Sequence, residues 1–166
     1  PTAGLHFTQA LLEKISQKGI KIAKIELRVG LDTFAPVTEE NIEEHIIHRE
    51  WCHLDENAAQ QVRKTKKEGG RVIAVGTTSV RTLESACQAS PDGQISAFSE
   101  ETALYITPGY TFKCVDAIIT NFHLPKSTLL MLVSAFASRD QIFKAYETAK
   151  AEGYRFFSFG DAMLLL

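Results

Sequence analysis

The spacing of apolar residues changes along the chain between the pattern of a strand and that of a helix. Residues 114–120 form an apolar run of the length of one buried strand. Residues 129–137 are apolar almost all round, which predicts a buried helix, and Ser127 or Thr128 can cap its start. Residues 121–127 therefore form a loop between a strand and a helix.

A second strand-loop-helix unit precedes this one along the chain. Residues 71–75 predict a buried strand, and a turn at Gly76 leads into a helix over residues 80–87. Free N–H groups at such a helix start suit a phosphate, a carboxylate or a ribose. Three hydroxyl side chains stand at the same turn, those of Thr77, Thr78 and Ser79. The phosphate-loop and dinucleotide fingerprints are absent, so the turn favours neither a nucleotide hydrolase nor a simple Rossmann dehydrogenase.

The rest of the pattern predicts strands and helices in alternation. Capping residues mark three further helix starts, at Thr8, Asp55 and Ser138. Strands are predicted at residues 23–29, 104–107, 154–159 and 162–166, and polar loops at residues 30–36 and 90–99. The predicted class is α/β, with one domain over residues 1–166 and a mainly parallel, mostly buried sheet flanked by helices.

Composition narrows the class of protein. The chain has 166 residues, of which 45% are hydrophobic and 23% are charged, which is ordinary for a globular domain with a sizeable core. Its net charge of −2 gives no overall basic field of the kind that attracts nucleic acid, although a local basic face would suffice. The cations at residues 64–71 can contact phosphates or can simply be the solvated end of a helix, and the pattern leaves both open.

The cysteines and the chain ends bear on the cellular compartment. Cys52, Cys87 and Cys114 are odd in number and widely spaced, so we expect neither disulfides nor a zinc ribbon, and a reducing cytoplasm fits. No apolar run approaches the roughly 20 residues of a membrane span, and no signal peptide opens the chain. The start at Pro1 rather than at a methionine suggests a fragment or a processed product.

An acidic segment over residues 39–53 raises a metal hypothesis. His45 and His48 are three residues apart, so a helix would bring them to one face, near Cys52. The four-residue spacing of the zinc-protease helix is absent, however. We therefore favour a solvated helix over a metal site, with three isoleucines facing inward, Ile42, Ile46 and Ile47.

Two groups of polar residues have a functional and a structural interpretation. In open α/β sheets, ligands bind outside the carboxyl ends of the strands, where His123 and Lys126 could hold an anion or exchange protons. Alternatively, the loop residues merely cap a tight turn and His123 is a satisfied, half-buried side chain, which spacing alone favours. Arg81 can pair either with an anionic ligand or with Glu84 on its own helix face.

Four blocks of the chain, in this order, resemble one enzyme family. They are PTAGLHFT at 1–8, RVIAVGTTSVRTLESA at 71–86, PGYTFKCVDAIITNFHLPKSTLLMLVSAFA at 108–137 and YRFFSFGDAML at 154–164. Over essentially its whole length the chain resembles the S-adenosylmethionine:tRNA ribosyltransferase-isomerases, the epoxyqueuosine-forming enzymes of bacterial queuosine biosynthesis. Chains of that family are about twice as long and interrupt an α/β domain with a β-barrel domain. The resemblance implies that this chain is the carboxyl-terminal part, without the amino-terminal part and the inserted barrel.

The resemblance also implies a reaction. These enzymes transfer and isomerise the ribosyl part of S-adenosylmethionine onto 7-aminomethyl-7-deazaguanine at the tRNA wobble position, and they release adenine and methionine. Such chemistry needs proton removal beside the sulfonium and proton delivery to adenine. It needs no metal and no cofactor besides S-adenosylmethionine as co-substrate. The expected partners are this co-substrate and the modified tRNA, and we expect a cytoplasmic protein that is a monomer at full length.

Candidate site residues follow from the matching blocks. His123 is the first candidate for a general acid or base, and His6 is the second. The residues expected to bind substrate are Thr2, Gly4, Phe7, Thr77, Thr78, Ser79, Arg81, Asn121, Phe122, Lys126, Ser127 and Asp161. The hydroxyls at 77–79 would hold ribose or the methionine carboxylate, and Arg81 or Lys126 would pair with that carboxylate or a tRNA phosphate. Asp161 would hold a ribose hydroxyl or the amine of the base, and Phe122 would stack on a base unless it is a core aromatic.

Three positions depart from the family pattern, and other interpretations compete. Arg28 replaces a histidine, and Asp32 and Glu100 replace glycines, which leaves room for altered activity. One rival is a non-catalytic fragment that binds S-adenosylmethionine or tRNA. Another rival is a metal-dependent hydrolase built on residues 45–52. The last is a plain methyltransferase, and the absence of a glycine-rich strand-loop-helix at the chain start argues against this one.

Overall fold

The structure is a computed structural model, and it describes residues 1–30, 45 and 47–166. These residues begin with a 3₁₀ helix, Thr2–His6, and contain no helix long and apolar enough to cross a membrane. The α-helices are α1 Gln9–Gln17, α2 Glu56–Lys67, α3 Thr77–Ala89, α4 Thr128–Ala137 and α5 Arg139–Ala151. The strands are β1 Glu26–Arg28, β2 Glu50–Leu54, β3 Ile73–Val75, β4 Phe98–Thr102, β5 Ala117–Asn121 and β6 Ala162–Leu165.

The strands form two separate three-stranded sheets rather than one. The first sheet has the order β1-β2-β4 and is antiparallel throughout, whereas the second has the order β3-β5-β6. Only β3 and β5 run parallel among the described strands, since β6 is antiparallel to β5. This corrects the prediction of a mainly parallel sheet, although the α/β class is confirmed. Two helices, α4 and α5, separate β5 from β6, instead of the single crossover helix that usually joins parallel strands.

The end of the acidic segment is a strand and not a helix. In β2, Glu50, Cys52 and Leu54 are buried and alternate with the half-buried Trp51 and His53, which is the period of a strand. The helix predicted there is therefore wrong for residues 50–53. Its earlier part and the predicted loop at 30–36 fall largely on residues 31–44 and 46, which lie outside the described residues.

Two other strand predictions are wrong, and β4 was not predicted. The predicted loop at 90–99 included Phe98 and Ser99, the first two residues of β4, whose three middle residues are exposed while Phe98 and Thr102 are buried. Residues 104–107 and 154–159 were predicted as strands, but neither segment is one. In the second segment Phe157 has a φ of 69°, and its N–H donates to the carbonyl of Phe122, so the chain turns there.

The four helix starts predicted from capping residues are confirmed, whereas α3 begins at Thr77, three residues before the predicted start at residue 80. Thr8, Asp55, Ser127 and Ser138 each accept a hydrogen bond from a backbone N–H three residues further on. The expected all-round burial of α4 holds only in part: Leu132 and Val133 are buried, whereas residues 129–131 are half-buried.

The helix α3 lies in the centre of the molecule and packs against strands of both sheets. Its buried face includes Val80, Leu83 and Ala86. The carboxylate of Glu84, also fully buried, accepts hydrogen bonds from the backbone N–H groups of residues 113, 114 and 115 at 2.9–3.0 Å. Glu84 thereby fixes the segment that leads into β5, so that α3 and β5 keep one relative position.

Candidate functional site

The two strand-loop-helix units meet around one cavity. Because β3 and β5 are parallel neighbours, their carboxyl ends lie at the same edge of the second sheet. A cavity of about 260 Å³ opens there, just below the range of about 300 to 1,000 Å³ that is typical of small-molecule sites. Its walls are residues 1–3, Val29, residues 76–78, residues 120–124, Ser127, Leu129, Phe157 and Ser158.

The start of α3 faces this cavity with its backbone N–H groups. Gly76 precedes the helix with a φ of 89°, and no side chain of the described residues caps the helix there. A Cβ atom at Gly76 would lie 2.4 Å from the Cβ of Pro1, so only glycine lets the chain start close over the helix. Thr77 and Thr78 line the cavity beside this positively polarised helix end, which suits an anion or hydroxyl groups.

His123 contributes a half-buried imidazole to the same cavity. Its Nε2 atom shares a hydrogen bond of 2.9 Å with Oγ1 of Thr120, and its backbone N–H donates to the hydroxyl of Tyr146 at 2.7 Å. Burial lowers the pKa of His123 to about 4 and raises that of Tyr146 to about 12. His123 is therefore uncharged at neutral pH, where it can accept a proton but has none to spare as an acid.

Asn121 joins three segments at the edge of the cavity. Its Oδ1 accepts a hydrogen bond from Oγ1 of Thr2 at 3.2 Å, and its Nδ2 donates to the carbonyls of Gly160 and Asp161 at 3.3 and 3.5 Å. The same Nδ2 lies 3.4 Å from Nε2 of His6. These protein contacts occupy the side chain that the sequence assigned to substrate. His6 is exposed and reaches the cavity wall only through Asn121.

Arg81 does not lie at the cavity. It is buried, forms an ion pair with Glu50 of β2, and donates from Nε to the carbonyl of Leu104 at 3.2 Å. Burial lowers the pKa of Arg81 to about 10, so it stays charged at neutral pH. Both expected pairings, with an anionic ligand and with Glu84, are corrected. The guanidinium of Arg81 pairs with Glu50, and the carboxylate of Glu84 accepts hydrogen bonds from backbone N–H groups instead.

Asp161 and Ser79 also lie outside the cavity wall. Oδ1 of Asp161 accepts a hydrogen bond from the guanidinium of Arg155 at 3.0 Å, and Oδ2 accepts one from the backbone N–H of Arg155 at 2.8 Å. These bonds lower the pKa of Asp161. The hydroxyl of Ser79 donates to the carbonyl of Val75 at 2.8 Å, which ties α3 to β3.

The remaining candidates divide between cavity and core. Ser127 lines the cavity and caps α4. Phe122 reaches the cavity wall, but its ring is buried against Tyr146 and Phe156, with centroids 5.2 and 4.9 Å away, as a core aromatic. Lys126 is exposed, and the half-buried Gly4 and Phe7 are not part of the wall.

Sequence reasoning missed several wall residues. Phe157 and Ser158 lie on the turn that was predicted as a strand, and Thr120 was assigned only to strand β5. The usable signal was Gly160, where a Cβ atom would lie 2.4 Å from the carbonyl oxygen of Arg155. A glycine required by such a close approach indicates a tight turn rather than a strand.

The candidate metal residues and the divergent positions lie elsewhere. Among residues 1–30, 45 and 47–166, no group of three His, Cys, Asp or Glu side chains is placed to hold a metal ion, and Glu43 and Glu44 fall outside these ranges. The guanidinium carbon of Arg28 lies 4.4 Å from the ring centroid of Trp51. Glu100 is exposed in the middle of β4, and Asp32 is outside the described residues.

Comparisons with known proteins cover the whole chain. The model of the family described as "Queuosine biosynthesis protein" matches residues 1–165. The S-adenosylmethionine:tRNA ribosyltransferase-isomerase of Desulfitobacterium hafniense is 58% identical over 166 residues, which are 100% of this chain and 48% of that protein. The protein with the same name from Xanthomonas oryzae pv. oryzae is 52% identical over 168 residues, covering 99% of this chain and 47% of the relative.

A solved structure also resembles the fold. The crystal structure of an S-adenosylmethionine tRNA ribosyltransferase from Thermotoga maritima matches with a TM-score of 0.82 and 44% identity. The match covers 99% of this chain and 51% of that one. The chain thus spans about half the length of the relatives it matches.

Proposed function

The chain belongs to the queuosine biosynthesis protein family, and from this membership we propose that it forms the carboxyl-terminal half of an S-adenosylmethionine:tRNA ribosyltransferase-isomerase. The proposed enzyme joins the ribosyl part of S-adenosylmethionine to the amine of 7-aminomethyl-7-deazaguanine at the tRNA wobble position. Methionine leaves with the electron pair of the carbon–sulfur bond, adenine leaves from the sugar, and epoxyqueuosine-tRNA results. The protein then works in the cytoplasm on tRNA, as a monomer at full length and without a further cofactor.

The observation that carries the proposal is the cavity at the joined ends of β3 and β5. It combines the uncapped start of α3 with an uncharged imidazole, so that an anionic or hydroxylated group and a proton acceptor meet in one place. We assign the methionine carboxylate or the ribose hydroxyls to the start of α3, with Thr77 and Thr78 as hydrogen-bond donors.

His123 is assigned the proton transfer. Since its imidazole is neutral at pH 7, it does not repel the sulfonium of the substrate. Its low pKa makes it a weak base, so we assign to it a proton that the neighbouring sulfonium has made more acidic. The low pKa of His123 also makes the resulting imidazolium a strong acid, which can give the proton on to the departing adenine. Asn121 holds the chain start and residues 160–161 around this centre rather than touching substrate.

Adenine release from S-adenosylmethionine tests the proposal. We would assay the 166-residue chain by itself and the chain fused behind the amino-terminal half of the Desulfitobacterium hafniense relative, with that relative as the positive control. The fusion should release adenine only with tRNA that carries 7-aminomethyl-7-deazaguanine, and not with unmodified tRNA. Binding of S-adenosylmethionine without any adenine release would reject the enzyme in favour of a non-catalytic binding protein.

The variant His123→Gln tests the assigned role in the same fusion. We expect adenine release to fall by at least about 100-fold, because positioned acid–base groups contribute about 10²- to 10⁴-fold to rate. Binding of S-adenosylmethionine, measured by calorimetry, should persist. His6→Gln is the matched comparison and should lose less, since His6 reaches the cavity only through Asn121. Full activity of His123→Gln would remove His123 from the chemistry.

A further inference from the structure

A second concave surface lies at the far end of α3 from the cavity. It encloses about 870 Å³ between the last turns of α2, the loop around residues 93–95, and residues 113–114. Five of its thirteen lining residues are cations, and among the described residues Glu68 is the single acidic side chain of the wall. We call this surface the basic groove and define it by five residues, Arg63, Lys64, Lys66, Lys67 and Lys113.

Part of this charge is already neutralised within the protein. Arg63 pairs with Glu56, Lys66 pairs with Asp116 at 2.6 Å, and Lys64 lies 3.7 Å from the carboxylate of Glu68. These contacts explain three of the five cations as parts of the fold.

Lys67 and Lys113 are different. Both are exposed, and neither forms an ion pair or a side-chain hydrogen bond within the described part of the chain. Residues 60–71 contain five lysines and arginines and one glutamate, on a chain whose net charge is −2. The basic groove is therefore a local positive region on a protein whose net charge is negative. Such a region favours an anionic ligand bound at the groove itself rather than attraction of anions to the whole protein surface.

We propose that the basic groove binds the phosphate backbone of the tRNA substrate, with Lys67 and Lys113 as the phosphate contacts. The proposal rests on the proposed function, because that function requires a polyanion of this class. Phosphate contacts supply most of the sequence-independent affinity for RNA, and they position the nucleic acid without reading its bases. A protein that is acidic overall needs such a local site to hold tRNA.

The length of α3 sets the distance between the two sites. Thr77 lines the cavity and Cys87 lines the basic groove, ten residues later on the same helix. At about 1.5 Å per residue the two are about 15 Å apart. In a stacked helical strand one nucleotide step rises about 3.4 Å, so about four stacked nucleotides span this distance, and an unstacked strand spans it with fewer. The groove should therefore contact the stem or the loop flank and not the wobble nucleotide itself.

Neutralising the two lysines tests the proposal. Lys67→Gln/Lys113→Gln is compared with Lys144→Gln, an exposed lysine of α5 that lines neither surface. The backbone bond of Lys113 to Glu84 survives the substitution. We would measure tRNA dissociation constants of the 166-residue chain over a range of salt concentrations. The slope of log affinity against log salt should fall by about 1 for each lysine and stay unchanged in Lys144→Gln.

Kinetics of the fusion protein separate this inference from the proposed function. The double variant should raise the KM for tRNA and leave kcat and the KM for S-adenosylmethionine unchanged. An isolated anticodon stem-loop should keep this dependence, whereas an oligonucleotide with one residue on either side of the modified base is too short to reach the groove and should lose it.

Two outcomes decide between the inferences. If wild-type fusion releases adenine and the double variant has the wild-type KM and salt slope, the groove is not the tRNA site and the proposed function stands. If the lysines control tRNA affinity but no protein releases adenine, the groove stands and the enzyme is rejected. Protection of Lys67 and Lys113 from amine-modifying reagents by tRNA, but not by S-adenosylmethionine, would support the groove independently of turnover.

Discussion

At the scale of single residues, His123 and Asn121 show how position changes the meaning of a side chain. Asn121 is the last residue of β5 and His123 follows it in the loop, and both were predicted to act on a ligand. His123 lines the cavity as an uncharged base, whereas the side-chain amide of Asn121 forms hydrogen bonds with Thr2, Gly160 and Asp161. The sequence alone could not separate the two roles, because the partners of Asn121 lie 39 to 119 residues away.

The lowered pKa of His123 predicts a pH dependence of stability. Below about pH 6.5 the histidine of the unfolded chain binds a proton, which the folded imidazole does not accept until about pH 4. Stability should therefore fall as pH is lowered through this window, by about 3 kcal/mol at most. Urea unfolding of wild type and His123→Gln between pH 4 and 7 measures it. The free energy of unfolding of the variant should depend less steeply on pH in this window. An equal pH dependence in both proteins would contradict the lowered pKa of His123.

At the scale of the elements, α3 connects the cavity, the segment before β5 and the first sheet. Its start faces the cavity, its middle holds the segment before β5 through Glu84, and Arg81 attaches it to the first sheet. Glu50, which pairs with Arg81, also accepts a hydrogen bond at Oε1 from the N–H of Gly30, the neighbour of the wall residue Val29. One ion pair thus sets α3, β2 and a cavity wall relative to one another.

Removing one member of this pair should be worse than removing both. Arg81→Met leaves the carboxylate of Glu50 buried without its cation, which should cost about 3 to 5 kcal/mol. The double variant Arg81→Met/Glu50→Leu should cost less than this single one, because no charge is then left buried. Denaturant unfolding of the four proteins of the cycle measures the coupling. Additive losses would mean that the ion pair is energetically unimportant.

The turn at Gly76 makes a prediction about the chain start. Gly76→Ala puts a Cβ atom 2.4 Å from Pro1 at a φ of 89°, whereas Gly93→Ala meets a similar φ of 68° with no atom within 4 Å. Both variants lose the positive-φ freedom of glycine, at about 1 kcal/mol, and only Gly76→Ala must displace the chain start. Hydrogen exchange at the 3₁₀ helix Thr2–His6 should speed up in Gly76→Ala alone. Equal exchange in both variants would place Pro1 away from α3.

Local chemistry explains which elements could be predicted. Helix starts were found because Thr8, Asp55, Ser127 and Ser138 bond to N–H groups only three residues away. The cavity was found because two strand-loop-helix units next to each other share an edge. Strands β2 and β4 were missed because their stability comes from pairing with each other, 44 to 52 residues apart, and β4 is polar. The partner of Arg81 was missed with them, since Glu50 lies on β2.

At the scale of the whole molecule, the second sheet has apolar side chains on both faces. Ala74 and Ile118 point into the core, so the alternate residues of these strands face outward. Three of the outward residues are neighbours across the sheet, since Ile119 pairs with Val75 on one side and with Leu164 on the other. Ile73 and Leu164 are 45% and 56% exposed. We call these outward residues the outer apolar face. Sheets with parallel strands are normally covered on both sides, and the relatives have about twice as much chain.

The outer apolar face predicts self-association of the 166-residue chain. Such a surface drives proteins together in water, as do the outer edges of β3 and β6, which pair with no further strand of the described residues. Ile73→Lys/Leu164→Lys should shift the chain toward the monomer in analytical ultracentrifugation. Phe143→Lys, at a 48% exposed position on α5, is the matched control and should not. A wild-type chain that stays monomeric at high concentration would contradict the prediction.

The central position of α3 restricts how the protein can change over evolutionary time. Adding or removing a single residue within this helix would rotate one end by about 100° relative to the other. Such a change would misalign the cavity-lining threonines at its start, or the lining of the basic groove at its end, even if every side chain were kept. Insertions and deletions should therefore be rare in α3 among functional homologues, while exchanges of individual surface side chains are tolerated.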